Sequence, residues 1–356
     1  MTQPTTTSFP RTIGMDLGSR SSSFCIVAPS GEHVREGELK TTKTEVSAFL
    51  QEQPTSRIVI EASGPCRWIA EVASAYGHEV VVANPREFRL ISSSHRKTDR
   101  NDARILADFG QFRPEMLSPI KLRGLKCQIA RSTLSARAHA VAQRTLIICL
   151  IRTQVSNLGE SLRGCTAKNF HKTAPDRIPA ILRSALAPTV RILLAVTEAI
   201  AEYDKEIERL CAEEFSDTKI LRQVKGVGPN TALCFVATIE DPKRFEKSRD
   251  VGAYVGLVSK SRSSGSKNPQ LRISKRGDKA LRKLLVNAAT YIVGPRSKDC
   301  DLKLYGKRLE TRGGQASKAK ARIAVARKLS ILLHRLWVTG EVYEPLRNQS
   351  RAAAAA

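Results

Sequence analysis

The sequence predicts an α/β domain built on a mixed sheet, followed by a mostly helical remainder. Three observations carry this. Residues 11–119 hold short apolar runs separated by turn signals, then alternate with helical periods. Residues 120–216 show helical periodicity alone. From residue 217 the chain remains mostly helical but turns basic: Leu221–Ala356 carries 29 Lys and Arg against 10 Asp and Glu, which is +19 of a net +25.

The elements follow in order. TIGMDLG (12–18), SFCIVAP (23–29) and the edge-like HVREGELKT (33–41) read as three strands, with Ser30-Gly31 at one turn. KTEVSAFLQE (43–52) is helical, and RIVIEA (57–62) is a buried strand carrying Glu61. Pro65 opens a helix that Gly77 stops, because proline lacks only an N–H the first turn leaves unused and glycine accepts the left-handed cap. EVVVANP (79–85) is a strand, and TDRNDARILADFG (98–110) a helix with Thr98 and two acids at its start. Three strands followed by alternating units fit a mixed sheet with helices on its faces.

Residues 127–158 form one long helix bearing Arg131, Arg137, Arg144 and Arg152, read either as a row along a nucleic-acid backbone or as a solvated face. A second helix, opened by Pro188, carries Leu193, Val196, Ile200, Tyr203, Ile207 and Leu210 at alternating steps of three and four. That stripe suits a coiled coil or an ordinary amphipathic helix. Residues 220–239 read as helix, Gly-Val-Gly turn and helix; residues 258–278 are irregular and rich in Ser, Gly and Lys; 279–293 and 315–337 are helices. The closing RAAAAA reads as a tail.

A basic excess of this size, at pI about 10.1, draws polyanions, and nucleic acid is the default partner. The eight cysteines form no C-x-x-C pair and read as buried, reduced residues of a cytoplasmic protein, with Cys149 in LIICLI as the example. No apolar window approaches the length of a membrane span, and no secretory h-region is apparent.

The candidate chemistry lies in the acids. Asp16 ends the first strand, Glu61 ends a later one, and Asp99 and Asp102 share one helix face at i and i+3. Four such carboxylates suit hard divalent cations, and two ions about 4 Å apart support phosphoryl transfer by activating a nucleophile and stabilising a leaving oxygen. An Asp-Leu-Gly turn also begins the actin and sugar-kinase ATPases, but their second phosphate turn and glycine-rich nucleoside loop are missing where they should fall.

On IGMDLG with Asp16, VIEASG with Glu61, KTDRNDA with Asp99 and Asp102, VKGVGPNTA, and GLVSKSRSSGSK through ISKRGDKALRKLLVNAA, the chain resembles DEDD transposases of the "IS one-ten" insertion-sequence family over about residues 11–340. The resemblance implies a RuvC-like (RNase H-type) domain at 11–119, extending into the helix to about 158. It further implies a helical or coiled-coil segment at 120–216 and a C-terminal transposase domain at 217–340 with a helix-hairpin-helix element, before a tail at 341–356. It implies Mg²⁺ or Mn²⁺ at Asp16, Glu61, Asp99 and Asp102, and a nucleophilic serine placed before a glycine, which matches Ser264, with Ser263 as its neighbour. It implies donor and target double-stranded DNA, a structured non-coding (bridge) RNA, and a homodimer or homotetramer in the bacterial cytoplasm. Ser259 stands where the family commonly has proline.

Lys225, Gly226 and Gly228 of the helix-hairpin-helix-like stretch, and Lys260, Arg262, Lys267, Arg272, Lys275 and Arg276 around the serine, are the expected phosphate contacts. Two other functions remain open on the sequence: a RuvC-like nuclease that resolves branched DNA by water attack, and a non-enzymatic nucleic-acid-binding module.

Overall fold

The computed structural model describes residues 10–85, 98–260, 271–314 and 316–348. The chain divides into two compact units, Met1–Leu122 and Arg123–Ala356.

The first unit is a five-stranded mixed sheet in the order β3-β2-β1-β4-β5. Its strands are β1 (Thr12–Leu17), β2 (Ser21–Val27), β3 (His33–Lys40), β4 (Arg57–Glu61) and β5 (Glu79–Ala83). The three leading strands pair antiparallel, and β4 and β5 run parallel to β1. Helices α1 (Lys43–Gln51) and α2 (Cys66–Ala75) cover one face, and α3 (Asp99–Phe112) covers the other. Strand alternation sorts the side chains. Ile13, Met15, Ile58 and Ile60 join Val46, Phe49 and Ile69 in one core, while Val59 and Cys25 face α3 with Leu106, Ala103 and Ala107.

One residue sets how closely α3 approaches. Gly14 lies under it, and a Cβ there would stand 2.2 Å from the Ala103 carbonyl oxygen and 2.3 Å from the Ala107 nitrogen. Glycine removes the side chain that would hold helix and strand apart. Thr98 caps α3 by accepting from the Asn101 N–H at 3.3 Å.

In the second unit, α4 (Leu125–Ser156) and α5 (Ala180–Arg209, continued by a π turn to Glu214) pair antiparallel. Ile148, Ile151 and Val155 of α4 meet Leu186 and Leu193, and Cys127 and Ala130 share a core with Ile207 and Leu210. The three-four stripe predicted from Leu193 to Leu210 therefore faces α4. Pro188 lies inside α5 rather than at its start, which falls at Ala180 after Pro179. An internal proline costs about 3 kcal/mol, and the packing against α4 offsets it.

Helix α6 (Pro229–Ile239) is buried from Thr231 to Ile239 and forms the centre of this unit, with α7 (Lys279–Val293) and α9 (Ser317–Thr339) around it. Helix α8 (Asp301–Thr311) was not foreseen.

Three sequence expectations change here. Both α4 and the span Ala180–Glu214 are long and apolar enough to cross a membrane by length and composition, against the expectation that no window approached that length. Cys149 is exposed, because Ile148 and Ile151 take the packed side of α4 and turn Cys149 outward; Cys25, Cys66, Cys127, Cys165, Cys211 and Cys234 are buried as expected. The spaced arginines of α4 are largely engaged within the unit. Arg131 donates to Thr238 Oγ1 at 2.6 Å and to Asp278 at 2.5 Å, Arg137 to Asp204 at 2.6 Å, and Arg152 to the Cys165 carbonyl at 2.6 Å.

Asp278 also caps α7 by accepting from the Leu281 N–H at 2.7 Å. Burial pushes its carboxyl up, but that N–H and the Arg131 guanidinium outweigh burial and hold it below the usual aspartate range. A depressed folded-state value means the pair stabilises at neutral pH and its contribution is lost as pH falls below the ordinary aspartate range. Arg131→Ala removes the partner cation and leaves a largely buried carboxylate held by the Leu281 N–H alone, and is expected to cost about 3 kcal/mol. In thermal unfolding at neutral pH that is a fall of roughly 6–12 °C, and the gap from the parent should narrow in acid.

Candidate active site at the end of the sheet

Strand β1 pairs in parallel with β4, Met15 opposite Ile60, so Asp16 and Glu61 are the next positions on adjacent strands. Both are in phase with Gly14 and Val59 and therefore lie on the face that α3 covers. The helix runs antiparallel to β1. Its C-terminal end meets the start of the strand: Gln111 accepts from Thr12 Oγ1 at 2.6 Å, and Gly110 sits over Thr12 and Val59. Its middle, Ala103 and Ala107, lies over Gly14.

Two further strand residues advance about 6.7 Å, the rise of four to five helical residues. That step from the middle of Ala103–Ala107 arrives between Asp99 and Asp102, alongside Asp16. The topology thus brings Asp16, Glu61, Asp99 and Asp102 to one end of the sheet. Asp16, Glu61 and Asp102 are partly exposed and Asp99 is exposed. Among the described residues no Lys or Arg pairs with Asp99 or Asp102. An all-oxygen set of this kind fits a hard divalent cation.

The cross-strand register adds residues that the sequence did not mark. Asp16 stands opposite Ser23, and Ser23 opposite Glu38, so a further carboxylate lies two strands away on the same face. Only the pairing of β2 with β3 relates Glu38 to Asp16; nothing in the local sequence does.

In the second unit, Ser263, Ser264, Arg262 and Lys267 lie outside the described residues. The segments on either side of them pair: Lys260 N–H donates to the Arg272 carbonyl at 3.0 Å and Ser274 N–H to the Val258 carbonyl at 2.8 Å, around a Ser259–Ile273 bridge. Ser259 is the non-hydrogen-bonded member of that bridge, so the proline expected there would cost the pairing no hydrogen bond. Lys225, Lys260, Arg272, Lys275 and Arg276 are exposed.

Gly226 takes φ +94° in a turn packed on Tyr291 and Ile292, and Gly228 caps α6. The helix foreseen before this turn is a single turn, Thr218–Leu221. Leu221 and Val224 remain buried, but the chain leaves the helix before Gly226.

A mixed five-stranded sheet with helices on both faces agrees with the α/β domain expected of a DEDD transposase. Two family models match the chain. A DEDD model described as "Transposase" covers residues 13–158, and the "Transposase IS116/IS110/IS902 family" model covers residues 218–305. The chain belongs to the DEDD transposases of the IS110 type, which makes it an enzyme that cuts and rejoins DNA.

Its relatives include the transposase for insertion sequence element IS1111A of Coxiella burnetii, 28% identical over 93% of this chain and 90% of the relative. The transposase for insertion sequence element IS1328 of Yersinia enterocolitica is 27% identical over 85% of this chain and 86% of its own length. A pilin gene-inverting protein of Moraxella bovis is 24% identical over 89% of this chain and 92% of its own length.

Proposed function

We propose that the protein is a transposase and site-specific recombinase in which Asp16, Glu61, Asp99 and Asp102 hold Mg²⁺ or Mn²⁺ and Ser264 is the nucleophile. The observation that supports this reading is the register of β1 on β4 with α3 lying close over Gly14, which puts two strand acids and two helix-start acids at the same end of the sheet. The bound ions would supply charge stabilisation at a scissile phosphate.

Ser264 Oγ attacks the phosphorus and loses its proton, and the departing 3′ oxygen takes up one to leave as a hydroxyl. The bond from phosphorus to the 3′ oxygen breaks, and a 5′-phosphoserine link remains, so the phosphodiester can be remade on a new strand without an outside energy source. Strand exchange then passes through a four-way junction. Ser263 is the competing nucleophile.

The domain reading is kept: a RuvC-like domain at 11–119, a helical segment at 120–216 and the serine-bearing domain at 217–340. Lys225, Gly226, Gly228, Lys260, Arg262, Lys267, Arg272, Lys275 and Arg276 contact phosphates of donor and target DNA, positioning the duplex without reading its bases. Sequence choice falls to a structured non-coding RNA, in the manner of guided systems where pairing reads the target. Leu146 and Leu150 of α4 and Ile181 and Ile192 of α5 are exposed apolar side chains, which suits burial against further copies in a homodimer or homotetramer rather than contact with a membrane. The bacterial cytoplasm is the site of action, in keeping with free rather than disulfide-linked cysteines among the described residues.

A second reading has one point in its favour: the acids sit in a compact unit of their own, Met1–Leu122. On that reading the tetrad cuts branched DNA by water attack. Denaturing gels of the protein with labelled junction DNA separate the two. A covalent protein–DNA adduct is expected from the parent and from Ser263→Ala, and none from Ser264→Ala. Cleaved ends free of protein in all three would establish the nuclease reading instead.

A further inference from the structure

We propose that Cys25, His33 and Glu36 form a second metal site, built for a borderline divalent ion such as zinc and separate from the four carboxylates. Cys25 lies in β2 opposite Glu36 of β3, and His33 begins β3. The Cys25 Sγ is 3.7 Å from Glu36 Oε1, and His33 Nδ1 is 3.6 Å from the same oxygen. One donor atom from each of the three residues lies within 4.8 Å of the other two. Tetrahedral zinc with bonds of about 2.0–2.3 Å separates its donors by roughly 3.3–3.7 Å, so the cluster is close to the required spacing.

The surroundings orient the ligands. His33 Nε2 is 2.9 Å from Asp108 Oδ1 on α3, so the carboxylate takes the Nε2–H and leaves the Nδ1 lone pair facing Cys25 and Glu36. A histidine held by a carboxylate on its far nitrogen is the usual support of a metal-bound imidazole. The distal Glu36 oxygen, Oε2, accepts from Arg104 Nη2 at 2.6 Å. Arg104 Nε also reaches Oε1, and that contact is the one an ion would displace.

Cys25 is fully buried among Val27, Ala103 and Ala107, while His33 is exposed and Glu36 partly so, giving the site a closed wall and an open entrance. Three protein ligands leave a fourth position for water. The site also stands apart from the carboxylates. Cys25 is in register with Gly14, two residues back along β1 from Asp16.

Burial first, and the Glu36 carboxylate second, push the Cys25 thiol up to about 12. The groups facing it are Glu36 and His33 on β3 and Arg104 and Asp108 on α3. Without an ion the thiol stays protonated at neutral pH. Binding breaks the S–H bond and forms an S–metal bond, and the proton leaves to the buffer. One proton is released per ion, and affinity rises with pH.

The test uses the full-length chain, stripped of metal and titrated with Co²⁺. The expected result is one ion per chain that gives a thiolate-to-cobalt charge-transfer band in the near ultraviolet and intense tetrahedral visible bands, apart from any ion the four carboxylates take with weak octahedral absorption. Cys25→Ser should lose the charge-transfer band. Asp108→Asn should weaken binding about 10- to 100-fold. His33→Gln, at an exposed position that the fold tolerates, should weaken it at least as much, and Asp16→Asn should leave these bands unchanged. If the parent shows no such bands, or shows them equally with Cys25→Ser or His33→Gln, the cluster is only an ion-pair network pinning β3 to α3 and the proposal fails.

Discussion

Asp16→Asn is expected to lower the rate of DNA strand exchange by about a thousandfold or more while leaving the fold intact. Asparagine keeps the shape and one oxygen donor but removes the charge. Asp16 is next to last in β1, one position beyond the Met15–Ile60 pair, and on the proposed mechanism it is the ligand between Glu61 and the two acids at the start of α3. Losing charge from the central ligand of a hard cation removes several kcal/mol of transition-state stabilisation, and each 1.36 kcal/mol is tenfold in rate. Asp16 is partly exposed near a strand end and belongs to none of the hydrophobic cores, and asparagine keeps its size, so the packing of the fold is unchanged. Single-turnover exchange on supercoiled DNA, with a thermal melt beside it, checks both halves. A variant that recombines at the parent rate would remove Asp16 from the mechanism.

Gly14→Ala is the second large effect, and it acts without touching any acid. The added methyl would lie 2.2 Å from the Ala103 carbonyl oxygen and 2.3 Å from the Ala107 nitrogen, both backbone atoms of α3. Real Cβ contacts do not fall under 3.0 Å, so the helix must move away from the strand. Overpacking of this kind costs about 1–3 kcal/mol in stability. The same movement carries Asp99 and Asp102 away from Asp16, and a misplacement of about 1 Å costs on the order of a hundredfold in rate. Gly110→Ala is the control. There the methyl would meet the Val59 Cγ2 at 2.3 Å, a side-chain atom at the far end of α3. It should lose comparable stability and much less activity. Equal activity losses from the two would refute the account of how the helix positions its acids.

Several elements were legible from the chain because their causes are local. Pro65 and Gly77 bracket α2, Thr98 caps α3, and α7 spans the predicted residues 279–293. The four acids carry a local signal as well, since two stand at the ends of strands and two in the first turn of a helix. Other features depend on residues far apart. Pro188 suggested a helix start because its cost is local, while the compensating contact with α4 is not. Helix α8 has a thin apolar face, and Gly306 in its middle hides its period until it packs against Val293 and Val325. The arginines of α4 looked free to hold nucleic acid because their partners Asp204, Thr238 and Asp278 lie on other elements.

Composition, helix signals and the order of strands belonged to the sequence by itself: a mixed α/β start, a helical middle, a basic end, and four carboxylates at element ends. Tertiary structure alone decided which of those groups meet. Strand register put Asp16 and Glu61 at the same end of adjacent strands and Glu38 on the same face, the absent side chain of Gly14 let α3 lie close over β1, and Cys25, His33 and Glu36 became neighbours only when β2 paired with β3. The reason is range: turns, caps and periodicity act over a few residues, whereas register and close packing join residues that the sequence leaves far apart.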